Sequence, residues 1–172
     1  MVSGPPGSGK TTLAHELARA IPCPAICRDE IKEGMAHAHG AGFEAAPGDP
    51  LTQRTLPLFF DVVGALLRGG VTVVAEAAFQ DRLWREGLEP LADLAELRII
   101  HCVVDAEVAA ARRSLSGGRR HAHGDSIARI GVDEWKRHFT SFERVSLPVP
   151  ALEVDTSDGY QPDLQKVVDF VG

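Results

Sequence analysis

A short glycine-rich segment near the start of the chain limits what the protein can fold into. Residues 4–11 read G-P-P-G-S-G-K-T, a complete GxxxxGK[ST] pattern. Glycine permits the backbone conformations in which successive N–H groups point inward at one anion. The lysine adds a mobile positive charge, the threonine hydroxyl suits Mg²⁺, and a following helix would aim its positive end at the same point. A plain turn would not need the Lys-Thr pair, so the segment predicts a nucleotide phosphate site.

The loop and its continuation supply most of the candidate nucleotide ligands. We expect Lys10 to be catalytic as well, because it can follow the charge of the β- and γ-phosphates, and Thr11 to bind the metal. ATP and Mg²⁺ are therefore the expected cofactors. The candidates in this segment are Gly4, Gly7, Ser8, Gly9, Lys10, Thr11 and Thr12.

The strand that should lead into the loop is short. Only residues 1–3 precede the loop, whereas an average strand has about 5–6 residues. In a parallel sheet this strand would be buried by its neighbours. We expect either a start a few residues upstream or a minimal first strand.

Composition narrows the class of protein. A length of 172 residues suits one domain, and no apolar stretch approaches the ~18 residues of a membrane span. The first residues lack a secretory signal pattern, so we expect a cytoplasmic protein. A net charge of −6 disfavours a nucleic-acid duplex as partner. A small-molecule substrate is favoured, and oligomeric state is not predicted.

Helical and strand patterns alternate along the chain. This alternation predicts an α/β, three-layer P-loop NTPase fold, with a five-stranded parallel sheet flanked by helices and ligands beyond the carboxyl ends of the strands. A Gly-, Arg- and His-rich segment at 116–128 predicts a short lid on a single domain, 1–172. The patterns predict strands at 1–3, 24–27, 71–75, 97–104 and 152–154, and helices at 11–20, 31–38, 51–67, 81–94, 106–115, 133–145 and 163–171.

Two acidic residues follow predicted strands and would meet the phosphate loop at one sheet edge. Glu76 could hold a Mg²⁺-bound water, or it could be a solvated carboxylate at a strand end. Asp29 could take the proton of a substrate hydroxyl as general base, or it could cap the next helix. Arg28 and Lys32 flank Asp29 as possible substrate anchors.

Arginines before and within the predicted lid could compensate charge on the transferring phosphate. We assign Arg120 to catalysis and Arg112 and Arg119 to nucleotide binding, although a solvated basic loop would look the same. Asp158 lies in a turn after the last strand, where a nucleotide base could bind. A plain turn is the alternative.

Cysteines and histidines do not form a recognised metal pattern. Cys23, Cys27 and Cys102 lack the spacing of a zinc site and are expected to be buried thiols. The histidine pairs 37/39 and 121/123 lack a convincing third ligand. Phe59, Phe60, Phe79 and Trp84 are expected in the core.

The chain resembles the AAA-type, nucleoside-monophosphate-kinase-like group of small P-loop kinases, which includes chloramphenicol phosphotransferase, zeta toxin and the kinase domain of polynucleotide kinase. The likeness spans nearly the whole chain and is carried by residues 4–12, 27–32, 73–79, 119–121 and 154–160. It implies ATP-dependent phosphorylation of a hydroxyl, with Asp29 as base. It also implies a lid at 119–121 and a nucleotide-base loop at 154–160.

Three functions are compatible with these residues. The first is a kinase that acts on a hydroxyl of a small molecule, such as an antibiotic, a sugar or a nucleoside derivative. The second is a kinase for the 5′-hydroxyl of a nucleic acid, which the acidic charge disfavours. The third is a nucleotide-dependent switch or toxin-like binding module with slow hydrolysis.

Overall fold

The computed structural model describes residues 1–40, 42–46, 48–115, 122 and 131–172. Within these residues, strands and helices alternate, and a short 3₁₀-helix, Glu89–Leu94, follows the fourth α-helix. The elements are β1 (Val2–Ser3), α1 (Lys10–Ala20), β2 (Ala25–Cys27), α2 (Arg28–His39), α3 (Pro50–Arg68), β3 (Val74–Ala77), α4 (Asp81–Leu88), β4 (Ile99–Val103), α5 (Ala106–Leu115), α6 (Val132–Thr140), β5 (Ala151–Asp155) and α7 (Leu164–Val171).

The five strands form one parallel sheet in the order β2-β3-β1-β4-β5. Strand β1 is the central strand, where Val2 pairs with Glu76 on one side and with Ile100 on the other. The predicted five-stranded parallel sheet is therefore confirmed. At the carboxyl edge of the sheet, β1 leads into the phosphate loop and β2 leads into α2. The end of β3 lies between them, because β3 is the strand between β2 and β1.

Helices cover both faces of the sheet because neighbouring strand residues point to opposite sides. Val74 packs in a core with Leu13 and Leu17 of α1. Its neighbour Ala75 packs in a second core with Phe59 of α3. The sheet is therefore the middle layer, with one core on each of its faces. This three-layer arrangement follows from the alternation of side chains along each strand.

An aromatic cluster fills the second core. Phe59, Phe60, Phe79 and Trp84 lie with ring centroids 5.1–5.9 Å apart, mostly in edge-to-face geometry, which such pairs prefer. The Trp84 indole N–H donates to the Ser3 hydroxyl at 3.2 Å, so its one polar atom is satisfied. The prediction that these rings belong to the core is confirmed.

Strand β3 lies three residues later than predicted. The β-branched run begins at Val71, yet Val71 is 37% exposed and its N–H bonds to Leu66 O at the end of α3. The first residues of the run therefore close the helix, and the ladder starts at Val74, whose N–H bonds to Pro24 O. Glu76 consequently lies inside the strand rather than after it.

Three helix boundaries also differ from the predicted ones. Helix α2 begins at Arg28, directly after β2, so Asp29 belongs to its first turn. The predicted helix 81–94 is an α-helix only as far as Leu88, and Pro90, which has no N–H, stands in the 3₁₀ segment that follows. Helix α6 ends at Thr140, short of the predicted 145. Among the described residues, no helix has the length and apolar character needed to cross a bilayer.

Candidate active site

The phosphate loop depends on glycine at particular positions. Gly7 and Gly9 have φ of +85° and +71°, a region that side chains strongly disfavour. A Cβ on Gly7 would lie 2.8 Å from Ala109 O, and one on Gly4 would lie 2.6 Å from Cys102 O. The loop is thus pressed against β4 and α5, and only glycine fits these positions.

The concave side of the loop is suited to an anion. Helix α1 starts at Lys10 after the N-cap Gly9, and no side chain caps it, so the N–H groups of its first turn remain available for a ligand. The Ser8 hydroxyl is buried and, among the described residues, has no hydrogen-bond partner. Such an orphaned polar atom beside uncapped N–H groups fits a bound phosphate.

Glu76 lies beneath the loop. It is 1% exposed, its Oε2 accepts from the Thr11 hydroxyl at 3.0 Å, and its Oε1 is 3.8 Å from Lys10 Nζ. Burial raises the pKa of Glu76 above its ordinary value of 4.5, as does the charge of Asp29, while Lys10 and Thr11 lower it. The alternative of a solvated strand-end carboxylate is therefore wrong. Together with Thr11, Glu76 forms an oxygen donor set that fits Mg²⁺.

Asp29 lies in the first turn of α2, directly after β2. Its carboxylate is 22% exposed and accepts from Arg28 Nη1 at 3.1 Å. The N-cap of α2 is Cys27, so the alternative role of Asp29 as helix N-cap is wrong. The electrostatic effect of Asp29 on the pKa of Glu76 shows that the two carboxylates share one region. Asp29 is therefore an accessible carboxylate in the region of Glu76, and its role as general base stays a prediction.

Arg28 and Lys32, the two predicted substrate anchors, have different environments. Arg28 extends toward Thr52 O of α3, at 3.5 Å, and its Nε is buried without a partner among the described residues. Lys32 is instead 2% exposed and donates to Asp49 Oδ2 at 2.7 Å. The prediction that Lys32 anchors substrate is contradicted, because its charge is already neutralised inside the protein.

Asp49 was not singled out by the sequence patterns. It caps α3 by accepting from Thr52 N at 2.8 Å, while it pairs with Lys32. Burial by itself would raise the pKa of Asp49, but hydrogen bonds from Lys32 and the Thr52 amide outweigh it and hold that pKa below its ordinary value of 3.8. The ion pair fixes the start of α3 against α2. Its only sequence signal is Asp49 before Pro50, a typical helix start.

Arg112 lies on α5 and connects the phosphate loop to the turn after β5. It donates to Thr156 Oγ1 at 3.3 Å and to Ser157 O at 3.3 Å. The Thr156 hydroxyl donates to Ser8 O at 2.8 Å. A Cβ on Gly9 would lie 3.5 Å from Arg112 Nη1, so the guanidinium borders the loop. The role of Arg112 in nucleotide binding stays a prediction. Thr156 was missed because a lone hydroxyl in a turn has no spacing signature.

The remaining predicted residues are less informative. Asp158 is exposed in the bend after β5, and Thr12 is exposed on α1. Arg119 and Arg120 lie outside the described residues, as does the predicted lid 116–128 apart from Ala122. Ala122 is fully buried in a cluster with Ala36 of α2 and Leu51 of α3.

A separate apolar cavity of about 660 Å³ lies at the opposite edge of the sheet. Its walls include Met1, Val73, Leu97 and Val149, which stand before the strands. None of the predicted site residues lines this cavity. The polar residues described above, rather than this apolar cavity, mark the candidate active site.

Solved structures with a similar fold include three proteins that are described as kinases. A protein from Chloroflexus aurantiacus j-10-fl that is assigned as a kinase is 24% identical, with a TM-score of 0.81 over 99% of this chain and 95% of that chain. A gluconokinase from Sinorhizobium meliloti 1021 is 19% identical, with a TM-score of 0.56 over 98% and 86%. Shikimate kinase from Acinetobacter baumannii, in complex with shikimate, is 16% identical, with a TM-score of 0.58 over 99% and 90%.

At these identities the likeness shows the fold, and the predicted three-layer P-loop NTPase fold is confirmed. Among the curated proteins compared, none matches this chain. A family model described as an AAA domain matches residues 1–145. These residues contain the phosphate loop, Asp29, Glu76 and Arg112, and they make up most of the chain. The chain therefore belongs to this AAA domain family.

Proposed function

We propose that the protein is a kinase that transfers the γ-phosphate of ATP to a hydroxyl of a small molecule, with Asp29 as general base. The observation that carries this proposal is the convergence of three groups at one sheet edge. The phosphate loop, the buried Glu76 and the accessible Asp29 come from three separate segments, and Thr11 and Glu76 are in hydrogen-bond contact. Phosphoryl transfer needs this set of a phosphate cradle, a metal ligand and a base.

Each residue has a defined task in the proposed reaction. The loop N–H groups and Lys10 hold the phosphates and stabilise negative charge as it develops. Mg²⁺, held by Thr11 and Glu76, would supply further positive charge at the β- and γ-phosphates. Asp29 accepts the proton of the acceptor hydroxyl while the oxygen forms a bond to the γ-phosphorus and the bond to the departing ADP oxygen breaks. We include Arg119 and Arg120 in this proposal as lid residues that compensate charge.

The acceptor would bind between α2 and α3. Arg28 lies there, and within the described part of the chain its buried Nε has no partner, so it is a donor that an acceptor oxygen would satisfy. Gluconokinase and shikimate kinase, two proteins with this fold, carry the names of small hydroxylated substrates. They support a sugar or hydroxy acid as the acceptor ahead of an antibiotic or a nucleoside.

The test is ADP release from Mg-ATP in the presence of pooled acceptors. The pool contains sugars, hydroxy acids, aminoglycosides, amphenicols, nucleosides and short 5′-hydroxyl oligonucleotides. We expect acceptor-stimulated turnover that falls about 10²–10⁴-fold in Asp29→Asn, because a general base contributes about that much, while ATP binding is retained. Glu30→Gln is the matched control, since it removes a neighbouring carboxylate that we do not assign to catalysis.

Two results would contradict the proposal. Acceptor-stimulated turnover that is unchanged in Asp29→Asn would remove the assigned base. Slow hydrolysis that ignores every acceptor would favour the nucleotide-dependent switch, and stimulation by oligonucleotides alone would favour the nucleic-acid kinase.

A further inference from the structure

Three side chains that the proposed reaction does not use converge beside the active site. His15 lies on α1, Cys27 ends β2 and Glu30 is in the first turn of α2. His15 Nε2 is 2.7 Å from Glu30 Oε1 and 3.8 Å from Cys27 Sγ. All three donor atoms lie within 4.8 Å of one another. Because His15 is 12 residues from Cys27 in the chain, the fold rather than a local motif brings the three side chains together.

The donors match a soft divalent cation. Thiolate, imidazole and carboxylate are the ligands of Zn²⁺, with Zn–S of about 2.3 Å and Zn–N of about 2.0–2.1 Å. In a tetrahedral site these bond lengths place sulfur and nitrogen about 3.6 Å apart, close to the 3.8 Å between Cys27 and His15. The same geometry places nitrogen and oxygen about 3.3 Å apart, so the Glu30 oxygen has to move away from His15 Nε2 by about 0.6 Å from its present 2.7 Å. The Glu30 side chain is 48% exposed, so there is room for this movement and for water as a fourth ligand.

The site differs in chemistry from the neighbouring Mg²⁺ ligands. Mg²⁺ prefers an all-oxygen environment, whereas sulfur and imidazole nitrogen select Zn²⁺ and similar ions. Thr11 and Glu76 are therefore suited to Mg²⁺, and His15 and Cys27 are suited to a thiophilic ion. The two sets adjoin each other, because His15 is one helical turn after Thr11 and Cys27 is paired with Glu76 on the neighbouring strand.

We propose that His15, Cys27 and Glu30 form an inhibitory binding site for a Zn²⁺-type cation. The ion would replace the thiol proton, which passes to solvent, and would bind neutral His15 through Nε2. It would join α1, which holds the nucleotide, to α2, which carries Asp29, and would add positive charge next to that carboxylate. Occupancy would restrain α2, which carries Asp29, relative to α1, so phosphoryl transfer would slow.

The binding part of this proposal is tested with Co²⁺, which reports its own ligands. Titration of the metal-free protein is expected to give one equivalent of tetrahedral Co²⁺ with a cobalt–thiolate charge-transfer band, which Zn²⁺ then removes. The band should disappear in Cys27→Ser and remain in Cys23→Ser, the matched thiol control. His15→Ala and Glu30→Gln should weaken binding at least about 10-fold. Both positions are partly exposed, so these variants keep the test decisive if Cys27→Ser fails to fold.

The absence of a cobalt–thiolate band in the wild-type protein would overturn the proposal. So would a band that survives in Cys27→Ser, or an affinity that is unchanged in His15→Ala. In those cases His15 and Glu30 form an ordinary ion pair between two helices.

The inhibitory part rests on the proposed kinase function and has its own readout. We expect Zn²⁺ to slow acceptor-dependent ADP release of the wild type at saturating Mg-ATP, and we expect His15→Ala to keep the metal-free rate and resist Zn²⁺. Zn²⁺ binding without any change in rate would overturn the inhibitory role. If no acceptor is turned over, the kinase proposal fails while the cobalt titration still decides the metal site.

Discussion

The nucleotide side and the acceptor side of the candidate site are stabilised in different ways. On the nucleotide side, Gly7 and Gly9 of one loop take conformations that only glycine favours, and they are held directly against α5 and its Arg112. On the acceptor side, α2 and α3 are joined by a buried ion pair between Lys32 and Asp49, which are 17 residues apart. The first arrangement is centred on one short loop and its contacts with α5, and the second depends on two helices meeting.

The features that would bind phosphate are therefore different from those that would shape a site for a particular acceptor. A phosphate site made of backbone N–H groups tolerates changes in most surrounding side chains. A helix pair held by one buried charge pair does not, because removal of one partner leaves the other charge uncompensated. Substitutions on the two sides should therefore affect different quantities, namely turnover on the nucleotide side and folding stability on the acceptor side.

The largest effect is expected from Asp49→Ala, which breaks the acceptor side. It leaves Lys32 buried without a counter-charge and removes the cap of α3, so the free energy of unfolding should fall by about 3–5 kcal/mol. Urea unfolding measures this. The double variant Lys32→Met/Asp49→Leu is the control, since it removes both charges and should recover most of the loss. A loss below about 1 kcal/mol, typical of an exposed pair, would contradict the buried pair.

A comparable loss on the nucleotide side should appear in kinetics. Lys10→Ala removes the charge that follows the transferring phosphate, and we expect kcat to fall about 10²–10³-fold, or about 2.7–4 kcal/mol of transition-state stabilisation. Steady-state assays with an identified acceptor measure it, and Lys166→Ala on the exposed face of α7 serves as the control. Equal rates in the two lysine variants would show that Lys10 has no catalytic role.

Thr156→Val tests the connection between the two loops on the nucleotide side. It removes the hydroxyl that donates to Ser8 O, a loss of about 0.5–1.5 kcal/mol. We expect the KM for ATP to rise about 2–10-fold while the KM for the acceptor stays constant. Thr140→Val, whose hydroxyl bonds within its own helix, should change neither. A rise in the acceptor KM alone would show that Thr156 supports acceptor binding rather than nucleotide binding.

The smallest expected effect is a difference in acid sensitivity. The pKa of Asp49 in the folded protein lies below its ordinary value of 3.8, so its ionised form contributes stability at pH values above 3.8. That stability is lost as the pH falls through the lower folded pKa. The wild type should therefore lose stability in acid more steeply than Lys32→Met/Asp49→Leu, as measured by urea unfolding at several pH values. If the free energy of unfolding depends on pH in the same way in the two proteins, the lowered pKa of Asp49 is refuted.

Sequence patterns predicted the sheet and the phosphate loop. Their predictions failed at the end of α3 and at the contact between α2 and α3. The run that begins at Val71 indicated a strand from its first residue, but its N–H bonds to Leu66 O at the end of α3 and the ladder starts later. Lys32 next to Asp29 indicated a substrate anchor, but Asp49 neutralises it. In the first case the deciding contact closes the end of a helix, and in the second it joins two residues that are 17 apart in the chain.

The sequence by itself determined the phosphate loop, the alternation of strands and helices, and the acidic residues at the carboxyl edge. These features depend on local conformational preference and on burial period, which a linear pattern carries. Only the tertiary structure decided that Glu76 lies buried beneath the loop, that Lys32 pairs with Asp49, and that His15 meets Cys27 and Glu30. Those contacts arise when helices pack on a twisted sheet, because the distances between distant side chains are set by that packing and not by their spacing in the chain.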